Sequence, residues 1–327
     1  MSSLESLQVA ETVSLRLDTL TPLYTGGVGQ HGDQIHPSGI LGGIRRFSCL
    51  LAAAVGDASF EHQTWGTDAN EEAGRRHAKR VAVRVDPSGL RTVALPGRIN
   101  WPRGDEQKRN GWFYNVAHEG VLGLAFTRRG ISDPHWQLLL LALRIQIRHA
   151  TFGSRDQFGL GVLATDALPT VAPLTGVVGP PLDRPGLHRA FFASVRFDTA
   201  LPQDHRVRLE QGLRWREHLR HALRQPGQDE LRHYVFGQLN RQGNAVNVSA
   251  LYASGGQCSL RVWGVLPHTL PARFTSERPM IMQALRQALM TGPQQTLQTT
   301  RKPHWDDAAD HAAHLVDWIN RLAGMCR

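Results

Sequence analysis

The 327-residue sequence predicts an α+β fold built from two blocks, and three patterns support that prediction. Before residue 170, stretches with strand-like alternation and helix-like spacing follow one another in the order strand, helix, strands, helix, strand. Residues 170–186 are rich in proline and glycine and show no period, which is typical of a linker. Strand-like and helix-like stretches then recur. Since 41% of the residues are hydrophobic, each block can form a core.

The first block begins with a strand and a helix. Thr12–Leu20 alternates apolar and polar residues, as a half-buried strand does, and an irregular glycine-rich loop follows. From Ser38 to Val55, apolar residues recur every three or four positions, which predicts a helix. Pro37 and Ser38 are typical start signals, and Gly56 is a typical stop signal.

The middle of the first block predicts a hairpin. Val81–Val85 and Leu90–Leu95 alternate on either side of Asp86–Gly89. In that turn sequence proline presets one backbone dihedral and glycine supplies a positive one, so we predict a β-hairpin.

A strand, a helix and a strand complete the block. Val116–Thr127 is strand-like, and Asp133–His149 has helical spacing with Asp133 as the predicted N-cap and Pro134 in the first turn. Leu160–Thr165 is the last predicted strand. The order βαββαβ favours a ferredoxin-like, RRM-related domain over a doubly wound sheet, with an insertion at about residues 56–110.

The second block shows a weaker version of the same order. Its predicted strands and helices are Ala190–Phe197, Leu209–Leu223 (helix), Asn247–Ala253, Ser259–Leu266, Pro279–Met290 (helix) and Trp305–Leu322 (helix). A second α/β domain, a degenerate ferredoxin-like copy of the first, is one interpretation of this order. The predicted domains are therefore residues 1–169 and 187–327, with 170–186 as the linker.

Composition points to a polyanion as partner. The sequence has 37 Lys and Arg against 28 Asp and Glu, a formal charge of +9, and only three of the 37 are lysines. Guanidinium groups pair bidentately with phosphate and stack on bases, although codon bias alone could also raise the arginine content. The first eleven residues lack the features of a secretory signal, and the three cysteines lack metal-type spacing. We expect a cytoplasmic protein without membrane segments.

A glycine-rich segment precedes and enters the first helix. Residues 25–38 read TGGVGQHGDQIHPS, and the helix continues with Gly42, Gly43, Arg45 and Arg46. Glycines allow a backbone to approach a ligand closely, and the amides at a helix N-terminus suit a phosphate. Close helix-to-sheet contact is the alternative explanation of the mid-helix glycines. The spacing fits neither a P-loop nor a dinucleotide fingerprint.

A second glycine-rich segment lies between the second helix and the last strand. Residues 152–161 read FGSRDQFGLG. Such a loop can wrap a nucleic-acid backbone while Phe152 or Phe158 stacks on a base. In a ferredoxin-like fold this loop and the start of the first helix can line the same region, so we expect the two segments to share one site.

These motifs resemble a known family. LTPLYTGG at residues 20–27, IHPSGILGGIRRF at 35–47 and FGSRDQFGLG at 152–161 are similar to the RAMP superfamily of CRISPR effector subunits. Within it, the combination is most similar to the first RAMP subunit of the type III-B (Cmr) complex. The resemblance implies a ferredoxin-like fold and a subunit of a multi-protein effector complex in antiviral defence. It also implies guide RNA and target RNA as partners, with base pairing supplying sequence specificity.

The resemblance implies an RNA-binding site at the matching residues. The implied RNA-binding residues are Gly26, Gly27, Ser38, Gly42, Arg45, Arg46, Gly153, Ser154, Arg155, Gly159 and Gly161. Charge alone adds Arg98, Arg103, Lys108 and Arg109, for which a solvated surface is the alternative explanation. We expect neither a cofactor nor a metal ion.

Catalysis and a protein-only role stay open as alternatives. Some RAMP subunits cut target RNA with an aspartate in the loop after the first strand, where Asp33 stands. His31 and His36 suggest a different class, a guide-processing ribonuclease, because imidazole titrates near neutral pH. A third alternative is an adaptor that contacts only proteins.

A possible metal site near the C-terminus is disfavoured. Asp307, His311 and His314 would share one face of the predicted helix 305–322, but the segment lacks a HExxH core and a cysteine partner. A solvated helix face is the favoured interpretation.

Overall fold

The computed structural model describes residues 11–26, 34–66, 79–95, 116–153, 159–224, 229–237, 245–266, 278–293 and 301–325. Within these residues the chain forms two antiparallel sheets with helices, which confirms the predicted α+β class. No helix in this part of the chain combines the length and the apolar character needed to cross a membrane.

The first sheet has the ferredoxin-like order β2-β3-β1-β4. Its strands are β1 (Thr12–Thr19), β2 (Val81–Ala94), β3 (Val116–Arg128) and β4 (Leu163–Ala164). Its helices are α1 (Pro37–Ala54), α2 (Phe60–Trp65) and α3 (Asp133–His149). All three strand pairs are antiparallel. Leu15 and Leu17 of β1 are buried under the helices, whereas Arg16 between them is exposed.

The predicted hairpin at Asp86–Gly89 is wrong. Residues 81–94 form one strand that pairs with β3 on both sides of this sequence. Asp86 lies opposite Gly123 and Gly89 lies opposite Val121, so two residues of β2 face one residue of β3 in a bulge. Asp86 Oδ1 accepts a hydrogen bond from the Ser88 N–H at 3.0 Å. The local chemistry that suits a turn therefore suits a bulge equally well.

The second sheet repeats the order of the first. Its strands are β5 (Ala190–Phe197), β6 (Val246–Val248), β7 (Tyr252–Ser254), β8 (Gln257–Val265) and β9 (Arg301–Asp307). Its helices are α4 (His205–Ala222), α5 (Asp229–Phe236) and α6 (Arg278–Thr291). The order β6-β8-β5-β9 places these strands as β2, β3, β1 and β4 stand in the first sheet, with β7 added beside β8. The second half is thus a copy of the first topology.

Other expected elements differ at their ends or in kind. The strand predicted at 247–253 is broken into β6 and β7, the strand predicted at 160–165 contains only two residues, and the N-cap of α3 is Ser132 rather than Asp133. The helix predicted at 305–322 is wrong in its first half. Residues up to Asp307 belong to β9, a 3-10 helix covers Ala308–His314, and α7 covers only Leu315–Leu322. Residues 301–307 form a strand rather than a helix because pairing with β5 supplies hydrogen-bond partners for their backbone groups.

The elements stack in four layers, with α1 and α3 between the two sheets. On one side these helices cover Leu122, Leu124 and Phe126 of β3. On the other side Phe47 of α1 meets Trp263 of β8 at a ring distance of 5.9 Å. Helices α4 and α6 cover the opposite face of the second sheet. One hydrophobic core therefore includes residues of both halves, and the domain boundary at 170–186 stays a prediction.

Arginine side chains connect these layers through carbonyl oxygens. Arg261 of β8 donates to the Ala150 carbonyl at 2.7 Å and to the Ile147 carbonyl at 3.2 Å, both at the end of α3. Arg148 donates to the Leu322 carbonyl at 3.1 Å, and Arg144 donates to the Pro169 carbonyl at 2.9 Å. A cation beside a helix C-terminus is stabilising, because the exposed carbonyls carry partial negative charge.

Candidate nucleic-acid interface

A cleft of about 490 Å³ lies between α1 and the second half of the molecule. Its lining residues come from α1, α2, the 170–186 segment and the second sheet: Gly42, Arg45, Arg46, Cys49, Leu50, Glu61, Arg184, Pro185, Ala245 and Val265. Residues 170–186 run past the end of α1, where the Leu182 N–H donates to the Ala53 carbonyl at 2.9 Å. This contact helps to bring Arg184 to the cleft.

Three guanidinium groups and one carboxylate give the cleft its charge. Arg45 donates through Nε and Nη2 to Glu61 Oε1 at 3.2 and 3.0 Å. Arg184 Nη1 lies 3.9 Å from Glu61 Oε2. Arg46 is exposed and makes no hydrogen bond or ion pair with the residues that the structure describes. The lining is therefore net positive, which suits an anionic ligand.

Cys49 lines the cleft, and its surroundings keep its thiol protonated. Burial, followed by the neighbouring Glu61 carboxylate, raises the pKa of the Cys49 thiol to about 12. The thiol is therefore protonated at neutral pH, and the thiolate form that reacts and binds metals is scarce.

Contacts with the described part of the chain do not require the two glycines inside α1. Gly42 is exposed, and a Cβ placed there would have nothing within 4 Å. At Gly43 a Cβ would lie 3.9 Å from Gly153 N, an ordinary contact. A glycine costs a helix interior about 1 kcal/mol relative to alanine. Close helix-to-sheet contact therefore does not explain Gly42, whereas a ligand lying against the helix surface would.

The described ends of the second glycine-rich segment approach α1 at Gly153, but none of these residues lines the cleft, so the expected shared site stays a prediction. Gly153, Gly159 and Gly161 have positive φ values of 93°, 92° and 82°. A Cβ at Gly159 would lie 2.6 Å from Ala250 N, while Cβ atoms at Gly153 and Gly161 would collide with the Tyr24 and Phe152 carbonyls. These glycines are needed for the loop backbone itself. Phe152 is 1% exposed, so its expected stacking on a base is wrong.

Three further expected residues lie at the start of α1 or in the loop that is tied to it. His36 precedes the helix, and its backbone N–H donates to Thr25 Oγ1 at 2.8 Å, which ties α1 to the loop after β1. Gly26 ends the described part of that loop with a φ of 92°, and Ser38 is exposed in the first turn. The remaining expected residues lie outside the described residues: Gly27, His31, Asp33, Arg98, Arg103, Lys108, Arg109, Ser154, Arg155 and Phe158.

The spacing of Asp307, His311 and His314 suggests one shared helix face, but the structure does not place them on one. Asp307 ends β9, where its Oδ1 accepts a hydrogen bond from the Ala309 N–H at 3.0 Å. His311 Nε2 lies 3.0 Å from Asp306 Oδ1. His314 is exposed. In the described ranges, three or more metal-ligating side chains are nowhere grouped for a metal ion.

A second, smaller basic surface lies on the helix-free face of the first sheet. A furrow of about 320 Å³ has Arg16 and Arg84 among its walls and Gly123 on its floor. The hydrogen bonds from Ser88 lower the pKa of Asp86, and the two guanidiniums lower it further. With Asp86 ionised, the two arginines and one carboxylate leave the furrow less positive than the cleft, where three arginines face one carboxylate.

Sequence reasoning missed Arg184 and Glu61. Both reach the cleft through tertiary contacts, one from the linker and the other from a helix of six residues. Neither residue lies in a motif, and only their charge marks them in the sequence.

Of the comparisons with known proteins, the structural comparison found a similarity and the two sequence comparisons did not. The sequence matches no protein-family model and no curated protein. Among solved structures, the chain is similar to Cmr1 from Pyrococcus furiosus in its apo form. The two share 13% sequence identity with a TM-score of 0.45, and the alignment covers 79% of this chain and 88% of that one.

Proposed function

We propose that this chain is an RNA-binding subunit of a class 1, type III-like CRISPR effector complex. It would hold guide RNA, or the duplex of guide and target RNA, in antiviral defence. The observation that carries the proposal is the basic cleft beside α1, where Arg45, Arg46 and Arg184 meet next to an exposed Gly42. The motifs that resemble the RAMP superfamily lie on this same helix and on the adjacent glycine-rich loop.

Phosphate is the group that the cleft suits best. Guanidinium forks match the oxygens of a phosphodiester, and they keep their charge at every physiological pH. The missing Cβ at Gly42 leaves room for a backbone against the helix surface. Contacts of this kind read backbone and shape, so base pairing between the two RNA strands would supply the sequence specificity.

Partner subunits are part of the proposal. A guide RNA is longer than one cleft, so neighbouring subunits of the complex would hold the rest of it. The net charge of +9 exceeds what the cleft uses, which leaves positive surface for a longer RNA path.

Arginine replacement in the cleft tests the proposal. The variant R45A/R46A removes two guanidiniums, and we expect its affinity for labelled single-stranded RNA and for an RNA duplex to fall at least about thirtyfold. Fluorescence anisotropy at several salt concentrations measures this affinity. The salt dependence should become shallower as phosphate contacts are lost.

The matched control is R206A/R286A, which removes the same charge outside the cleft. Arg206 and Arg286 are exposed and paired with Glu210 and Asp310. Equal losses in the two variants would mean diffuse electrostatic attraction and would overturn the proposed site. Purification of the native complex with a small RNA of defined length would support the effector role, and a protein free of RNA would favour the adaptor alternative.

A further inference from the structure

The carboxylate of Glu61 lies where the cleft would bind an anion. Its Oε1 accepts from Arg45 at 3.0 and 3.2 Å, and its Oε2 faces Arg184 at 3.9 Å. The two oxygens therefore point at two different guanidiniums. Carboxylate and phosphate oxygens compete for the same donors of an arginine fork.

The three side chains are accessible to solvent. Their exposed fractions are 45% for Arg45, 35% for Glu61 and 38% for Arg184. Ion pairs at such positions contribute little stability in water, because both partners are well hydrated when apart. A polyanion that reaches the cleft can therefore replace the carboxylate at small cost.

Other contacts fix α2, so the position of this helix does not depend on Glu61. Phe60 is fully buried, and Trp65 Nε1 donates to Ser48 Oγ of α1 at 3.0 Å. Asp57 Oδ1 accepts from the Phe60 N–H at 3.0 Å at the start of the helix. Because these contacts hold α2 in place, a ligand can break the ion pair between Glu61 and the cleft arginines without displacing the helix.

We propose that Glu61 is a built-in competitor for RNA phosphate, a carboxylate that occupies Arg45 and Arg184 until RNA displaces it. This inference rests on the proposed function. It means that a single phosphate group, which gains little from one contact, competes poorly, whereas an RNA strand with several contacts displaces the carboxylate. The cleft thereby favours RNA over free nucleotides and inorganic phosphate.

Glu61→Gln tests the inference, because it keeps the shape of the side chain and removes its charge. We expect E61Q to bind labelled single-stranded RNA about fivefold more tightly than the wild type. The slope of log affinity against log salt should change little, since RNA contacts the same arginines in both proteins once the carboxylate has been displaced. Discrimination against inorganic phosphate as a competitor should fall.

Glu210→Gln is the matched control. Glu210 pairs with Arg206 at 2.8 Å on α4, so E210Q changes the net charge equally without freeing a cleft arginine. Adding R45A to E61Q should abolish most of the gain. Thermal unfolding of each variant shows whether any affinity change follows a loss of folded protein.

The outcomes separate this inference from the proposed function. If R45A/R46A loses RNA binding while E61Q binds like the wild type or like E210Q, Glu61 is only a surface ion pair and the inference is wrong. If R45A/R46A, E61Q and the wild type all bind RNA equally, the cleft is not the RNA site and both proposals are wrong.

Discussion

The two halves of the molecule share one strand order, but the sheet faces left uncovered by each half's own paired helices, α1 with α3 and α4 with α6, have opposite surroundings. In the first sheet, Ser14 and Arg16 of β1 are exposed on that face. In the second sheet, Phe192 of β5 and Trp263 of β8 occupy the same face and are buried under α1, α3 and α7. A single topology thus provides an open surface in one half and an interior layer in the other.

The difference lies in the side chains at alternate strand positions. Because successive residues of a strand point to opposite faces, the apolar residues of β5 fill both faces, whereas β1 has polar residues on one of them. The helices of the first half therefore pack on this face of the second sheet. The cleft lies beside this contact, with exposed Arg45 and Arg46 of α1 and Val265 of β8 in its lining.

The largest effect is expected from removing a large side chain between the layers. Phe192 is 3% exposed and lies 5.3 Å from the His149 ring and 6.0 Å from Trp318. Phe192→Ala should lower the free energy of unfolding by about 3–5 kcal/mol, measured by urea denaturation. Arg16→Ala, on the equivalent face of β1, should change it by less than about 0.5 kcal/mol. Similar losses at both positions would contradict the contrast between the two faces.

A smaller effect on stability is expected from pH, through His149 in the same interface between the layers. Burial lowers the pKa of His149 to about 4, and His149 Nε2 lies 2.8 Å from the Leu322 carbonyl of α7. The unfolded state has the higher pKa, near the ordinary value of about 6.5, so acid favours unfolding. Stability should be constant above about pH 6.5 and should fall by about 2–3 kcal/mol as the pH drops to about 4.5.

The variant His149→Gln isolates that contribution. It retains a hydrogen-bond donor but does not titrate, so its stability should depend less on pH over this range. His304→Gln, at an exposed position of β9, should preserve the wild-type dependence. An unchanged pH profile in H149Q would show that this histidine does not sense acid.

Glycines inside the two equivalent helices should respond in opposite directions. Gly42 of α1 has open space at its Cβ position, whereas a Cβ at Gly212 of α4 would collide with the Ser249 carbonyl. Gly42→Ala should raise stability by about 0.5–1 kcal/mol and weaken RNA binding, because a methyl group then covers the helix surface. Gly212→Ala should lower stability. Thermal unfolding and anisotropy check both, and unchanged RNA binding in G42A would separate this glycine from the cleft.

The smallest effect is expected at the candidate catalytic residues. Asp33→Ala, His31→Ala and His36→Ala should leave labelled RNA as intact as the wild type does, when assayed separately from binding. Asp198→Ala, in the loop after the equivalent strand β5, serves as the control. Cleavage by the wild type that any of the three variants abolishes, with binding retained, would instead establish a ribonuclease.

Sequence patterns predicted elements well where local and long-range preferences agree. The bounds predicted for α3 and β5 match the structure, since periodicity and burial point the same way there. The hairpin at Asp86–Gly89 and the start of the helix at Trp305 are wrong, because pairing with β3 and β5 overrides a local signal.

The candidate site divides in the same manner. Gly42, Arg45 and Arg46 could be nominated from one helix, because a motif places them on consecutive turns. Arg184 and Glu61 could not be nominated, since their contact arises only when the linker and α2 meet beside α1. Residues that meet only through tertiary contacts have no characteristic spacing along the chain, so a single sequence contains no pattern that would identify them.

The arginines that donate to backbone carbonyls between the layers have a kinetic consequence. Arg144, Arg148 and Arg261 donate to carbonyl oxygens, which carry only partial charge, and none of the three forms an ion pair with a carboxylate in the described part of the chain. Burial and the other two guanidiniums lower the pKa of Arg148, as expected where like charges gather. These guanidinium groups connect two layers of the fold, and their positive charge still contributes to the electrostatic field around the molecule. On the proposed function, that field should speed the first encounter with RNA by acting at a distance.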